Sequence, residues 1–405
     1  MSDIYVNTYV KRTLRNKNLL CCIVSITLLV LMPYLALFFS GLVLINVKST
    51  SKLVRLTLAV VMVVSLSMMN GARPLTLGDP NDIDGYYHIY QMLSQNNLGY
   101  LTHFGGGLES GGGVEVGLPL LLYFFSILLP ALTVNGLMFF ISLFCAFLVM
   151  VWVEITFYSK DSNQSPALIG VSILMLNLYL STQLTRQYIA LIILLFSFAS
   201  SGQFRQWTYV ILAATFHLTA IPFYFMYKLI KAGYIGCLII FSSLLIFSLF
   251  FSVIGGYVDI FPAAIIEKFA YNIASDQSYT AADFASMRMI LLLCAISILV
   301  LCLAGLKGLN KAKNWLLVPW IGEVIHLILL PIPLASLRTT LIIHSILPGT
   351  VAYKMLASGG SKIGHLLTTV LNVLLVYKLF IYLLAENSGN LLPTVRMVDV
   401  FFTVN

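Results

Sequence analysis

Apolar runs of about 20 residues recur along the whole chain, and no other feature limits the possible folds so strongly. A run of that length matches the ~30 Å hydrocarbon core of a bilayer as a single helix. Only 9% of the residues are charged and 60% are hydrophobic, with a mean hydropathy of +0.95. A soluble domain carries about 25% charged residues. The sequence therefore predicts an all-α, polytopic integral membrane helical bundle of about 11–13 spans. It forms a single transmembrane domain over residues 1–405, with no separate soluble domain.

The net charge of +8 does not point to nucleic acid. The basic residues stand singly and in pairs between apolar runs, as topology signals do. Sixteen of the 23 Lys and Arg fall in residues 11–17, 48–55 and 307–313 and at Lys160, Arg205, Lys228, Lys231, Lys354 and Lys362, which we read as cytoplasmic. Eleven of the 15 Asp and Glu fall on the opposite side, in an outer loop at 73–115, a second outer loop at 255–285, and the C-terminal tail. The two biases agree. None of the six cysteines lies in a polar loop, and no disulfide or zinc spacing occurs. The basic N-terminus runs into a long apolar stretch without a small-residue cleavage site, as a retained anchor would.

Two stretches have basic residues on both flanks. Residues 19–47 would make a helix of about 43 Å, so they form either one tilted helix or a hairpin bent at Pro33. Residues 206–230 read as a re-entrant hairpin with His217 at its tip and Pro222 just beyond. Such non-helical backbone is tolerated in a membrane only where it lines a cavity or is buried in protein. The 73–115 loop is the largest polar region. Its glycine runs (105–107 and 111–113) suggest mobility, and its tyrosines and carboxylates suit sugar rings and hydroxyls.

One pair of motifs is specific. Leu184-Thr185-Arg186-Gln187-Tyr188-Ile189-Ala190 is followed about 30 positions later by Phe216-His217-Leu218-Thr219-Ala220-Ile221. The pair resembles the EpsG/Wzy-type polysaccharide (O-antigen) polymerase family. Arg73 with the run from Gly78 through Asp79, Asp82 and Asp84 to Tyr86, then Glu115-Val116-Gly117, and then Arg338 with Pro348 resemble further family motifs in the same order. The resemblance covers roughly residues 55–355.

The resemblance implies an all-helical enzyme similar to GT-C type glycosyltransferases. It would join oligosaccharide repeat units carried on undecaprenyl diphosphate, at the periplasmic face of the bacterial inner membrane. Its partners would be lipid-linked donor and acceptor, the bilayer, and a possible chain-length regulator protein. No cofactor is expected.

The chemistry requires cations for the diphosphate and a base for the acceptor hydroxyl. Arginine is permanently charged and grips phosphate with two parallel bonds, so Arg186, Arg338, Arg73 and Arg288 are candidates, each against the plainer reading of snorkelling or ion pairing. His217 suits proton transfer near neutrality, although lone buried histidines commonly serve structure. Asp79 and Glu115 are alternative bases. Gln187 and Tyr86 are candidate substrate contacts. Asp82 and Asp84 share the D-x-D form that holds a divalent metal in some glycosyltransferases, but the form is common by chance and no metal is expected. Glu323 and His326, three apart on an apolar helix, share a face and could pair, line the site or relay protons. The competing functions are a flippase or transporter of lipid-linked oligosaccharide, an O-antigen ligase, and a membrane acyltransferase. No internal repeat supports a transporter.

Overall fold

In the computed structural model the described residues are 19–47, 50–73, 82–101, 115–129, 131–159, 164–254, 276–330 and 335–358, with five more between 369 and 376. Asp79, both glycine runs and residues 255–275 of the stretch that the sequence reads as a second outer loop lie outside them. The described residues are helical and contain no strand. They divide into two compact units, residues 1–83, 132–183 and 361–405 in one and 84–131 and 184–360 in the other.

The first unit contains α1 (Leu19–Leu31), α2 (Pro33–Asn46) and α3 (Lys52–Gly71). The 19–47 stretch is broken at Met32, which leaves helical geometry at φ −150° and ψ 88°. Proline disfavours α geometry in the residue before it and is itself well placed at the first helical position, so Pro33 starts a second helix instead of continuing the first. The sequence left a single tilted helix open, and the break excludes an unbroken one.

After α4 (Asp82–Ser94) and α5 (Gly117–Leu128), both treated below, the first unit resumes with α6 (Val134–Val153). A π-helical turn, Glu154–Tyr158, prolongs α6. Next come α7 (Ala167–Leu174) and the short α8 (Tyr179–Gln183). A Cβ on Gly71 would stand 2.8 Å from the Phe139 Cβ, so only glycine allows α3 and α6 to approach this closely. At the other ends of the same two helices Arg55 grips Glu154 through two bonds of 3.2 and 2.6 Å, and its guanidinium lies 3.9 Å above the Tyr158 ring. Arg55 reads in the sequence as a topology signal, yet it is a buried, fully engaged cation.

The second unit begins in α4 and runs through α5. It resumes with α9 (Thr185–Ala199), α10 (Gln203–Phe216), α11 (Ala220–Lys231) and α12 (Tyr234–Ile254), then α13 (Asp276–Leu329), α14 (Ala335–Leu341), a π-helical turn Ile342–Ile346, and α15 (Pro348–Ser358). The 73–115 region is therefore not all loop, since α4 and a 3₁₀ turn at Leu98–Leu101 lie within it. The 206–230 stretch is a helical hairpin: Gln206 near the start of α10 accepts hydrogen bonds from Tyr224 and Lys228 of α11. The chain in α13 doubles back between its apolar stretches, Ser286–Cys302 and Asn314–Leu329. Ser297 donates to the Leu316 carbonyl at 3.2 Å and accepts from Trp320, whereas a straight helix would put residues 297 and 316 about 28 Å apart.

Among the described residues, Lys52–Gly71 and Val134–Tyr158 are each long and apolar enough to cross a membrane. Ala335–Ile346 and Pro348–Ser358 make a third span if the pair, bent by 58°, counts as one. Seven further apolar helical stretches of 10–17 residues occur among the described residues, one of them within α12 and two within α13. Breaks at Met32, Leu184, His217 and Leu347 interrupt apolar stretches that the sequence reads as spans.

Candidate functional site

Glu115 lies two residues before α5, outside the apolar helix, and brings together segments distant in sequence. Arg186 in the first turn of α9 donates from Nη1 to Glu115 Oε2 at 2.7 Å. His217 Nδ1 lies 2.7 Å from Glu115 Oε1, and the Leu218 N–H donates to the same oxygen at 3.0 Å. His217 closes α10 in extended geometry, with φ −158° and ψ 121°, and α11 starts three residues later. The carboxylate thus satisfies a backbone donor that the break between α10 and α11 leaves open.

The site is partly sheltered: the side chains of Glu115, His217 and Arg186 are 13%, 20% and 28% exposed. Burial works against the Glu115 charge. The hydrogen bonds from His217 and Leu218 and the charges of His217 and Arg186 outweigh it and hold the carboxyl down at about 2. Glu115 is therefore ionised near neutrality and can only accept hydrogen bonds. Nδ1 of His217 must then carry its proton, which in the neutral ring leaves the lone pair on Nε2. Arg186 sits where the positive end of its own helix dipole disfavours a cation, and the ion pair with Glu115 offsets that cost.

Gly117 makes the meeting possible. A Cβ there would stand 2.8 Å from two atoms of the Phe216 ring and 2.9 Å from Thr215 Oγ1. The start of α5 thus rests on the residue before His217, which brings Glu115 within reach. Gly117→Ala is expected to cost about 1–3 kcal/mol by overpacking, to lower activity together with thermal stability in detergent, and to recover partly when Phe216 is cut to Leu. An alanine variant with wild-type activity would show that this close packing does not set the carboxylate.

Gln187 points away from Arg186 into the unit. It is 4% exposed, and Nε2 donates to the Arg338 carbonyl at 3.0 Å. The side chains of Arg338 and Arg288 are exposed. Glu323 and His326 are both buried on α13, near Gly322, where a Cβ would stand 2.7 Å from Ile343 of the π turn. Tyr86 is buried on α4 and Asp84 is exposed there, while the Asp82 side chain lies outside the described residues.

Arg73 belongs to the first unit, just past α3. Its guanidinium lies 4.1 Å above the Tyr179 ring and donates to Thr182 Oγ1 at 3.3 Å. Asn70, one turn earlier, ties the same region down by donating to Ser142 and to the Leu178 carbonyl.

Of the residues singled out in the sequence, Glu115, Arg186 and His217 form one hydrogen-bonded cluster, and Gln187 links α9 to the backbone of Arg338. The Leu218 N–H and the contact of Gly117 with Phe216 had no separate signal. The only hint was that the Gly follows the Glu at a fixed step and the Phe directly precedes the His.

An all-helical chain with membrane-length apolar helices and a charged cluster at helix breaks defines a polytopic membrane protein with a polar site. The EpsG family model matches residues 56–394, and the chain belongs to that family. It is accordingly a polysaccharide polymerase-like membrane protein. Neither a curated protein nor a solved structure matches it.

Proposed function

We propose that the protein is a glycosyltransferase that polymerises oligosaccharide repeat units linked to undecaprenyl diphosphate, working at the periplasmic face of the inner membrane with a GT-C-like bundle. The observation that carries this reading is the Glu115–His217–Arg186 cluster, which pairs a proton acceptor with a phosphate-binding cation in one partly sheltered site. Nε2 of His217 takes the proton of the acceptor hydroxyl. The acceptor oxygen attacks the anomeric carbon of the donor as its bond to the diphosphate breaks, and the departing charge is met by Arg186 and Arg338. Glu115 stabilises the imidazolium, as an acid does behind a catalytic histidine. Asp84 and Arg288, both exposed, are left for sugar and headgroup contacts.

The charge pattern supports the outer face. His217 caps one end of the α10–α11 hairpin, while Arg205, Lys228 and Lys231 lie at the other, where the positive-inside rule expects the cytoplasm. The hairpin arms of 14 and 12 residues reach about 21 and 18 Å, which supports a re-entrant placement.

The test separates surface glycans by size in a deletion strain complemented with wild type or with Arg186→Lys, which keeps the charge but loses the planar fork. Expected are single repeat units in the deletion strain, a full ladder with wild type, and a ladder reduced at least tenfold with the lysine variant. Repeat units trapped on the cytoplasmic side of the deletion strain would instead identify a flippase.

A further inference from the structure

We infer that Gln187 is a positioning residue: it never touches substrate but fixes, through its hydrogen bond to the Arg338 carbonyl, where the Arg338 guanidinium stands. The inference rests on the reading of Arg338 as a diphosphate ligand. Successive residues on a helix do not face the same way, and here the two neighbours divide the work. Arg186 turns to Glu115. Gln187 turns inward, is 96% buried, and spends its amide donor on α14 at 3.0 Å. A side chain so enclosed offers nothing to a substrate, and its Oε1 takes no hydrogen bond from any described residue.

Arg338 needs such an anchor. Its side chain is exposed and makes no ion pair among the described residues, so only its backbone fixes its origin. Arginine carries about 2 kcal/mol of rotamer entropy, and a mobile origin adds to what diphosphate binding must overcome. The element that carries it is short, seven residues, and passes directly into π winding at Ile342. A carbonyl has two lone pairs, so the amide can bond Arg338 O without competing with the helix. The same bond ties α14 to α9, which carries Arg186, so that both proposed diphosphate cations are set from one helix end.

The test is a double-mutant cycle on the purified full-length protein, using Gln187→Met, which keeps volume but removes the donor, and Arg338→Ala. Each is assayed for kcat and KM with a lipid-diphosphate-linked oligosaccharide, alongside hydrogen exchange over residues 335–341. Gln187→Met is expected to lower kcat/KM about ten- to a hundredfold, mainly through KM, and to speed exchange in α14. Added to Arg338→Ala, it is expected to cause no further loss. If the two losses multiply, Gln187 acts independently of Arg338 and the inference is overturned. Unchanged exchange together with unchanged kinetics in Gln187→Met overturns it as well. If exchange speeds up but the wild type extends no chain, the anchor stands and the polymerase reading falls.

Discussion

His217→Ala is expected to reduce chain extension by about 10²–10⁴-fold, the contribution of a well-placed general base, while the protein still inserts and stays folded. Among the described residues the imidazole is held at Nδ1 by a carboxylate that cannot donate, which fixes the neutral tautomer and leaves the Nε2 lone pair to accept a proton. His217→Asn separates this role from capping. Its amide can still donate to Glu115 where Nδ1 did, but it carries nothing in place of Nε2. Both variants should be comparably inactive in a turnover assay with lipid-linked repeat units, and the asparagine variant should keep the thermal stability of wild type. An asparagine variant within a few-fold of wild-type turnover would mean that His217 only closes α10.

Glu115→Gln is expected to have an effect of similar size, about 10²–10⁴-fold on turnover, as when the acid behind a catalytic histidine is made an amide. The change removes the charge that three donors share and turns one of the two acceptor oxygens into an NH2 group, so the remaining amide oxygen can no longer serve Arg186 Nη1 together with His217 Nδ1 and the Leu218 N–H. It takes the carboxylate away from Arg186 at the positive end of a helix. Hydrogen bonds to a charged group are worth about 1.5–3 kcal/mol each, so stability should fall along with activity. The pH dependence has a definite sign. The Glu115 carboxyl is depressed from 4.5 to about 2 on folding. Its contribution to stability is therefore complete above 4.5 and is lost as pH falls toward about 2. The gap in melting temperature between wild type and Glu115→Gln, measured in detergent, should be widest at neutrality and narrow below pH 4.5. A gap independent of pH would mean that the charge of Glu115 is not what holds the cluster.

Apolar runs and low charge determine that this chain is helical and belongs in a membrane, because hydrocarbon admits few charges and imposes a length on each run. The order of short motifs determines the family, and those motifs already contain Glu115, Arg186 and His217. Pro33 marks the helix break at Met32, since proline acts on its immediate neighbour. Each of these effects is local, and a local effect can be read from a few consecutive residues. What the sequence withheld is non-local. Glu115 reads as a free acid able to act as a base, but contact with residues 71 and 102 positions away depresses it into a holder of the histidine and the arginine. Gln187 reads as a substrate contact, yet it is buried against a backbone carbonyl 151 positions on. Arg55 reads as a flanking charge, but Glu154, 99 positions away, closes on it. Side chains acquire such roles from the partners that packing supplies, and packing in turn depends on close approaches such as Gly117 on Phe216, which exist only once the helices have assembled.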